Sequence, residues 1–451
     1  MDDLLREAAA RAIRYRRGVA NRPVWPTPAA LDALGQLDEA LPTAPQNDVA
    51  VLALLDDIAS PATVATSGGR YFGFVVGSSL PATLAANWLA GAWDQNAGGF
   101  IQSPAASRLE EVATRWMLDV LGLPDGCGTG FVTCATMANF SALAAARHAL
   151  FTRKGWDVEN QGLFGAPPVT VVVGDEVHVS VLKALGLLGL GRDRVVRVPV
   201  DDQGRMRADA LPPLDDHTIL CIQAGNVNTG AFDRADAIIP HARRAGAWVH
   251  VDGAFGLWAK AAPARAHLLA GYGDADSWAT DAHKWLNVPY DSGIVFVRDP
   301  QHLRGAMSTS AAYLVRGERR DPFDYTPEFS RRARGVEVWA ALRSLGRDGL
   351  ADLVERSCRH ATRFADGLRR VGCAILNDVV INQVLVSFGD AEKTRRAIAA
   401  IQADGTCWVG GTVWQGHTAM RISVSSWATT DDDVERSLAA MVRVARDVRR
   451  A

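Results

Sequence analysis

Two stretches of sequence decide the fold: AWVHVDGAF at residues 247–255 and SWATDAHKWL at residues 277–286. Each opens with an apolar or β-branched run, which is typical of a buried strand, and ends in a turn that carries a charged side chain. That residue is Asp252 in the first stretch and Lys284 in the second. Because ligands of open α/β sheets gather at the carboxyl ends of the strands, we expect this carboxylate and this amine to face one site.

Strand-like and helical segments alternate around these stretches, from about residue 104 to residue 298. The strand-like segments lie at 169–173, 195–200, 219–223, 248–251, 277–280 and 294–297. Such alternation is typical of parallel βαβ units, and it predicts an α/β fold with a mostly parallel, doubly wound sheet. His178 also follows a predicted strand by a few residues, so it is expected at the same edge of the sheet.

The chain is predicted to have three parts. Residues 1–85 form an N-terminal helical arm, which cannot bury its apolar face alone and is expected to pack against the main body or a second subunit. Residues 86–330 form a large α/β domain around the sheet. Residues 331–451, with helices at 335–347 and 350–371 before short strands and a last helix, form a smaller C-terminal α+β domain.

The composition excludes several classes of protein. The 451 residues are 48% hydrophobic and carry a net charge of −2, so a large core is expected and a nucleic-acid partner is not. None of the six cysteines forms a CxxC pair or has zinc-finger spacing, so we predict no metal site and a cytoplasmic protein with reduced thiols. The N-terminus does not resemble a signal peptide, and no apolar run reaches the roughly 18 residues that span a bilayer.

Lys284 and Asp252 together have the chemistry that a pyridoxal 5'-phosphate site needs. A lysine forms the Schiff base with the aldehyde, and an acid keeps the pyridine nitrogen protonated so that the ring can accept electrons. Ala254 is small enough to lie against one face of the ring. The alternatives are a surface lysine at 284 and an aspartate at 252 that only caps a helix.

Two upstream segments add to this prediction. His178, in the sequence GDEVHVS at 174–180, is placed to stack over the other face of the ring, with a core histidine as the alternative. The small residues of TCATMAN at 133–139 lead into a predicted helix and would present free backbone N–H groups to a phosphate. Ala135 and Thr136 are the phosphate candidates, although an ordinary capped helix would have the same sequence pattern.

With these residues in place, the chain resembles the pyridoxal-phosphate-dependent group II amino acid decarboxylases from about Arg70 to its C-terminus. The strongest matches are HVDGA at 250–254, HKWL at 283–286 and the stretch from FSRR at 329–332 to Trp339. The resemblance implies fold-type I architecture, a homodimer with shared active sites, and an amino acid substrate. It also implies conversion to an amine and CO₂ through an external aldimine and a quinonoid, with aromatic amino acids as one candidate class.

The resemblance also carries roles over to individual residues. It implies that Lys284 forms the Schiff base, that Asp252 pairs with the ring nitrogen and that His178 stacks on the ring, while His283 lies by the phosphate with Ala135 and Thr136. Tyr313, in a loop that resembles the family's mobile catalytic loop, would reach the neighbouring subunit and protonate the carbanion. The alternative for this tyrosine is a packed loop aromatic.

Several positions depart from the pattern of the aromatic-specific members. Asp281-Ala282 replaces their Asn-Pro, and since a carboxylate near a phosphate is unfavourable, we expect Asp281 to point away or to use only its backbone. Asn226, in a turn that is threonine-rich in the family, is a candidate cofactor contact. The substrate-binding candidates are Phe74, Asn96 and Arg421, the last of which resembles a carboxylate-binding arginine or else forms a structural ion pair.

Two alternative functions stay open. A carbon–carbon lyase or aldolase on the same fold is favoured by Asp281, because sphingosine-phosphate lyases have an aspartate at this position. An inactive cofactor-binding homologue is the other alternative, and the intact Lys284, Asp252 and His178 argue against it. An aminotransferase is disfavoured because the His-Lys pair and the tyrosine loop resemble those of decarboxylases.

Overall fold

The computed structural model describes residues 1–309 and 319–450, which divide into two compact units. The large unit comprises Ser79–Arg359 and Asn377–Gln383, and the small unit comprises Met1–Ser78, His360–Leu376 and Val384–Ala451. Contacts thus place the N-terminal residues in one unit with the C-terminal ones. The predicted domain boundaries at residues 85 and 330 stay a prediction.

The helices and strands have the following bounds. The helices are α1 (Asp2–Gly18), α2 (Pro28–Ala33), α3 (Asp48–Leu54), α4 (Ser60–Ala62), α5 (Pro81–Trp93), α6 (Pro104–Leu121), α7 (Ala135–Arg153), α8 (Val158–Gln161), α9 (Val179–Leu187), α10 (Ala235–Arg244), α11 (Pro300–Met307), α12 (Gly335–Arg370), α13 (Ala391–Asp404) and α14 (Asp431–Arg450). The strands are β1 (Gly128–Val132), β2 (Thr170–Gly174), β3 (Val196–Val198), β4 (Thr218–Gln223), β5 (Trp248–Asp252), β6 (Ser277–Asp281), β7 (Gly293–Val297), β8 (Ala374–Ile375), β9 (Gln383–Ser387), β10 (Gly410–Trp414) and β11 (His417–Ser423).

Within the described residues, the sheet of the large unit has seven strands in the order β1-β7-β6-β5-β4-β2-β3. Strands β2 to β6 pair in parallel, and β7 runs antiparallel to both of its neighbours. This is the mostly parallel order that the alternating sequence predicts. Because β5 and β6 are adjacent and parallel, the turns after Asp252 and Asp281 lie at the same edge of the sheet.

β1 is a strand that the sequence pattern does not reveal. Its sequence GTGFV contains two glycines, which have low β propensity, yet all five residues are buried. Gly130 pairs with Val295 of β7, and a Cβ at position 130 would lie 2.2 Å from the carbonyl oxygen of Tyr325. The close approach of a neighbouring backbone therefore explains why glycine occupies this strand.

α7 packs against β6 and β7 and begins at Ala135, five residues before the predicted start at residue 140. Its buried face is made largely of alanines, including Ala138, Ala142 and Ala145. Such small side chains let the helix lie close to the sheet. The sequence therefore hides the first turn of α7, which points its backbone N–H groups toward the edge that carries Asp281.

A buried arginine ties β1 to its surroundings. The Arg331 side chain is fully buried and forms an ion pair of 2.8 Å with Glu110 of α6. It also donates to the carbonyl oxygens of Ala97, at 2.8 Å, and Phe131, at 2.9 Å. Because Phe131 lies near the end of β1, this arginine supports the strand that leads into the first turn of α7.

The small unit joins the N-terminal helices to a four-stranded sheet in the order β10-β11-β9-β8, counted over the described residues. Arg70, 5% exposed, connects the two ends of the chain, since it donates to the carbonyl oxygens of Ala20 and Thr406 at 2.7 Å each. α12 is interrupted at Gly346, where φ is 60°, close to the predicted break between residues 347 and 350. In the ranges that the structure describes, no helix has the length and apolar character needed to cross a membrane.

Candidate active site

Asp252 ends β5 and faces a set of hydrogen-bond donors. Its Oδ2 accepts from Asn139 Nδ2 at 3.2 Å and lies 3.4 Å from Ser180 Oγ, and its Oδ1 accepts from the backbone N–H of Ala254 at 3.3 Å. Hydrogen bonds to a carboxylate are stronger than those between neutral groups, so this buried charge is held in one orientation. Ala254, two residues further along the chain, is half-buried.

Asp281 ends β6 and takes a position that the sequence analysis did not expect. Its Oδ1 accepts from the backbone N–H of Ala135 at 2.5 Å, and its Oδ2 lies 3.0 Å from Nζ of Lys284. The expectation that this side chain points away, or contributes only its backbone, is wrong. The physical reason is that the buried carboxylate finds both an ammonium partner and the positive end of the α7 dipole at this edge of the sheet.

His283, next to Lys284 in sequence, contacts the loop that leads into β7. Its Nδ1 accepts from the backbone N–H of Ser292 at 3.1 Å, so the proton of the neutral ring is on Nε2, which lies 3.6 Å from Asp281 Oδ1. Burial lowers the pKa of His283, although the Asp281 carboxylate acts in the opposite direction. The ring of Tyr290 lies against it at a centroid distance of 4.3 Å.

His178 caps the N-terminus of α9. Its Nδ1 accepts from the backbone N–H of Ser180 at 3.3 Å and lies 2.7 Å from Ser180 Oγ. Ser180 therefore connects His178 to Asp252, and the structure brings together two side chains that are far apart in sequence. The imidazole is half-buried, which leaves part of the ring accessible to a ligand.

Asp281 connects the first turn of α7 to the Lys284 side chain, because its carboxylate contacts both. The helix's own bonding pattern begins with the N–H of Ala138 donating to Cys134 at 2.9 Å, so the N–H groups before it are available to other acceptors. Asp281 uses the N–H of Ala135, and Thr136 follows with a half-buried side chain. This is the phosphate candidate site of the sequence analysis, with a carboxylate of the protein at its edge.

Two predicted contact residues have clear roles in loops. Asn226 donates to Glu176 Oε2 at 3.0 Å and accepts from the backbone N–H of Asn228 at 2.8 Å. Asn96 accepts from the backbone N–H groups of Gly98 and Arg331, both at 3.1 Å. These contacts shape the turns, and the predicted cofactor contact of Asn226 and substrate contact of Asn96 stay predictions.

The remaining predicted site residues lie elsewhere in the chain. Phe74 of the small unit is 65% exposed, has a φ of 56° and stacks on Trp408 at 5.5 Å. Arg421 lies in β11 opposite Gly410, and burial lowers its pKa. Tyr313 falls outside the described residues. The substrate and lid roles of these three residues stay predictions.

The residues of the large unit fit pyridoxal phosphate by their chemistry. An amine stands at the end of β6, a carboxylate that can only accept hydrogen bonds stands at the end of β5, and backbone donors open α7. These groups complement, in turn, an aldehyde, a protonated pyridine nitrogen and a phosphate. Lys284 Nζ and the N–H of Ala135 meet on the same carboxylate, which places the amine and the phosphate candidates side by side.

Asn139 and Ser180 are the residues that the sequence analysis missed. Asn139 donates both to Asp252 and, at 3.1 Å, to Ser180 Oγ. The signal that could have found it is its spacing, because it follows Ala135 by four residues and so lies on the same face of the helix. That signal was lost because the predicted helix began only after Asn139.

The chain is similar to known proteins over most of its length. Residues 31–388 match the pyridoxal-dependent decarboxylase conserved domain. The chain is 27% identical to tryptophan decarboxylase 1 of Oryza sativa subsp. japonica, covering 91% of this chain and 87% of that protein. It is 28% identical to the aromatic-L-amino-acid decarboxylase of Drosophila lebanonensis, covering 81% of this chain and 95% of that protein.

A solved structure extends the likeness to the fold. The structure of Oryza sativa TDC with PLP and tryptamine matches with a TM-score of 0.91 and 23% identity, covering 99% of this chain and 97% of that one. The predicted α/β fold-type I architecture is thereby confirmed.

Proposed function

We propose, from the premise that this chain belongs to the pyridoxal-dependent decarboxylase family, that it removes the α-carboxylate of an L-amino acid of the aromatic class. That the chain is a pyridoxal-phosphate-dependent carboxy-lyase follows from the family, so the proposal concerns the substrate and the roles of the residues. One observation carries those roles. Asp252 ends β5, Lys284 follows the adjacent parallel strand β6, and Asp281 joins Lys284 Nζ to the backbone N–H of Ala135 at the start of α7.

The bound cofactor supplies an aldehyde and an electron-accepting ring. Lys284 would provide the amine that holds this aldehyde. The Asp281 carboxylate lies 3.0 Å from Nζ and would orient this amine. Asp252 holds the proton on the ring nitrogen, and the half-buried ring of His178 lies on the same network through Ser180 to support one face.

The other proposed contacts position the phosphate and the substrate. Ala135, whose N–H Asp281 also uses, and Thr136 would offer N–H groups to the phosphate at the positive end of α7. His283 would lie near the same turn, since its Nε2 is 3.6 Å from Asp281 Oδ1. Tyr313 is proposed as the proton donor to the substrate carbon, and Arg421 as the partner of a carboxylate, which a planar guanidinium binds through two hydrogen bonds. Phe74 is proposed to contact an aromatic side chain, which its 65% exposure allows.

The similarity to a tryptophan decarboxylase and to an aromatic-L-amino-acid decarboxylase supports aromatic substrates. The second candidate reaction is retro-aldol cleavage of a carbon–carbon bond, for which the sequence argument is the aspartate that Asp281 shares with lyases of the same fold. The two reactions differ in their products, since decarboxylation releases CO₂ and an amine whereas the lyase releases an aldehyde.

We further propose a homodimer in which a second copy covers the N-terminal arm. Apolar side chains of this arm are exposed, among them Leu5 at 57%, Val51 at 53% and Leu55 at 58%. We assign these exposed apolar side chains to the proposed interface, because a second copy would remove them from water. Light scattering of the purified protein tests the proposal, and a monomer at micromolar concentration would contradict it.

A cytoplasmic location is proposed from the cysteines. Burial raises the pKa of the Cys127 thiol to about 11 and of the Cys407 thiol to about 12, so both behave as unreactive core residues. Reduced core thiols suit a reducing compartment. Cell fractionation tests this proposal.

The decisive experiment incubates the purified protein and pyridoxal phosphate with a panel of L-amino acids, while CO₂ and products are followed by mass spectrometry. We expect amines from aromatic amino acids. Lys284→Ala is the control, because it removes the amine that bonds to the cofactor and should abolish both the Schiff-base absorbance and turnover. Aldehyde without CO₂ would support the lyase, and full turnover by the Lys284→Ala variant would refute the assigned role of this lysine.

A further inference from the structure

His250 is a fully buried histidine in the middle of β5 for which the proposed reaction has no use. Its Nε2 lies 2.9 Å from Asn139 Oδ1, and its Nδ1 lies 2.9 Å from Ser277 Oγ on the adjacent strand β6. Ser277 Oγ in turn accepts from Trp248 Nε1 at 2.9 Å. A continuous chain of hydrogen bonds thus runs from Trp248 to Asn139.

The chain continues from Asn139 to Asp252, and chemistry fixes the direction of every bond in it. The Asp252 carboxylate can only accept, so Asn139 must turn its Nδ2 toward it and its Oδ1 toward His250. That oxygen requires a proton on Nε2 of His250. The neutral ring then accepts on Nδ1 from the Ser277 hydroxyl, while Trp248 can only donate.

Burial keeps the His250 imidazole neutral in the folded protein. Burial lowers the pKa of His250 to about 4, although the Asp252 carboxylate acts in the opposite direction. The other titratable group beside it is Cys221, which lies opposite His250 in the register of β4 and β5. Burial raises the pKa of this thiol well above its ordinary value. The imidazole is therefore a neutral spacer with one tautomer.

We propose that His250 and Asn139 are positioning residues that hold the Asp252 carboxylate toward the pyridine nitrogen of the cofactor. His250 acts by fixing which end of the Asn139 amide faces Asp252. An amide has two nearly equivalent orientations about its last bond. Without the donor on His250 the buried Oδ1 of Asn139 loses its partner, so the amide is held only at its Nδ2 end by Asp252 and Ser180 and is no longer fixed from both sides. This inference rests on the proposed function, since it assigns to Asp252 its partner in the ring.

The same amide also reaches the other side of the proposed ring. Asn139 Nδ2 donates to Ser180 Oγ at 3.1 Å, and the Ser180 hydroxyl lies 2.7 Å from His178 Nδ1. A flipped amide would therefore disturb both Asp252, the proposed partner of the ring nitrogen, and His178, which is proposed to stack on the ring. One buried histidine thus sets the geometry of two proposed cofactor contacts.

The test uses variants that separate this role from ordinary core packing. His250→Leu removes the donor to Asn139, whereas His250→Gln keeps an N–H at the position of Nε2. Asn139→Ala removes the amide and gives a second route to the same loss if His250→Leu does not fold. Val249→Ala is the matched control, because it is fully buried on the same strand but its side chain points to the opposite face of the sheet.

Pyridoxal phosphate binding to each apoprotein is measured by absorbance, together with the pH midpoint of the absorbance change of the bound cofactor. We expect His250→Leu and Asn139→Ala to bind about tenfold more weakly, because a buried polar partner is lost. We also expect their midpoint to move upward by about one pH unit, because a ring that gives up its proton no longer opposes a positive charge on the Schiff-base nitrogen.

The outcomes distinguish the inference from the function on which it rests. His250→Gln and Val249→Ala should keep the wild-type midpoint, and a general loss of stability would weaken binding without moving it. If His250→Leu and Asn139→Ala both keep the wild-type midpoint, the positioning role is refuted while the cofactor site stands. If the wild type itself forms no Schiff base that depends on Lys284, the proposed function fails first.

Discussion

Asp281→Asn should strengthen the binding of pyridoxal phosphate while leaving the binding of pyridoxal, which lacks the phosphate, much less affected. In the structure, Asp281 Oδ1 lies 2.5 Å from the backbone nitrogen of Ala135, at the turn where we place the phosphate. The carboxylate therefore competes with a second anion for the positive end of α7. Asparagine has nearly the same shape and keeps an oxygen that can accept from Ala135, so the variant removes charge without removing the helix cap.

The size of the effect follows from the distances. Two unit charges about 4 Å apart interact by about 4 kcal/mol at an effective dielectric constant of about 20, which sets an upper limit to the repulsion. The ammonium of Lys284, 3.0 Å from Asp281, offsets part of it. We therefore expect the ratio of the two affinities, pyridoxal phosphate over pyridoxal, to rise about ten- to a hundredfold.

The assay titrates the apoprotein with each aldehyde and follows the absorbance of the Schiff base. Because Asp281 also contacts Lys284, its removal changes Schiff-base formation with both aldehydes, and only the ratio isolates the phosphate. Asp299→Asn is the matched control, since Asp299 caps α11 by accepting from the backbone N–H of Gln301 at 2.9 Å. An unchanged ratio in the Asp281→Asn variant would refute the competition, and a lower ratio would mean that the carboxylate helps to build the phosphate site.

Three further predictions concern stability. Arg331→Met should lower the free energy of unfolding by about 3 kcal/mol, because the buried Glu110 carboxylate loses its closer cation and keeps only Arg320 at 3.6 Å, and the hydrogen bonds to two buried carbonyl oxygens are lost. Arg369→Met at an exposed pair should change the free energy of unfolding by under about 0.5 kcal/mol in chemical denaturation. Gly130→Ala should reduce the yield and melting temperature, because its Cβ would overlap a backbone carbonyl, and Gly91→Ala, with open space around it, should not. Burial lowers the pKa of His250 from 6.5 to about 4, so the unfolded chain binds the extra proton and stability falls as the pH drops through this range. The free energy of unfolding of His250→Gln should therefore fall by about 3 kcal/mol less than that of the wild type between neutral pH and pH 4. Chemical denaturation at several pH values measures this difference, and an equal fall in both proteins would contradict the prediction.

The positions of the charged site residues at the ends of the strands could be predicted from the sequence, because an apolar run followed by a charged turn is easy to recognise. Asp252 and Lys284 could be placed at adjacent strand ends without knowledge of any contact. β1 and the start of α7 were not predicted. Their glycines and alanines allow neighbouring backbones to approach closely, but they produce no alternation of apolar and polar residues that would indicate a strand or a helix. Asn139 was missed for the same reason, as its role depends on where the helix begins.

The position of Asp281 bears on the choice between the two candidate reactions. A carboxylate with 2% of its side chain exposed needs a counter-charge and hydrogen-bond donors, and it finds them in Lys284 and in the N–H of Ala135. Both groups are ones that we propose to hold the cofactor, whichever bond of the substrate is broken afterwards. We therefore expect the replacement of Asn-Pro by Asp281-Ala282 to affect cofactor binding, and its contacts do not indicate which substrate bond is broken. For this reason Asp281 does not by itself favour carbon–carbon cleavage, and the aromatic decarboxylase proposal keeps the support of its similar proteins.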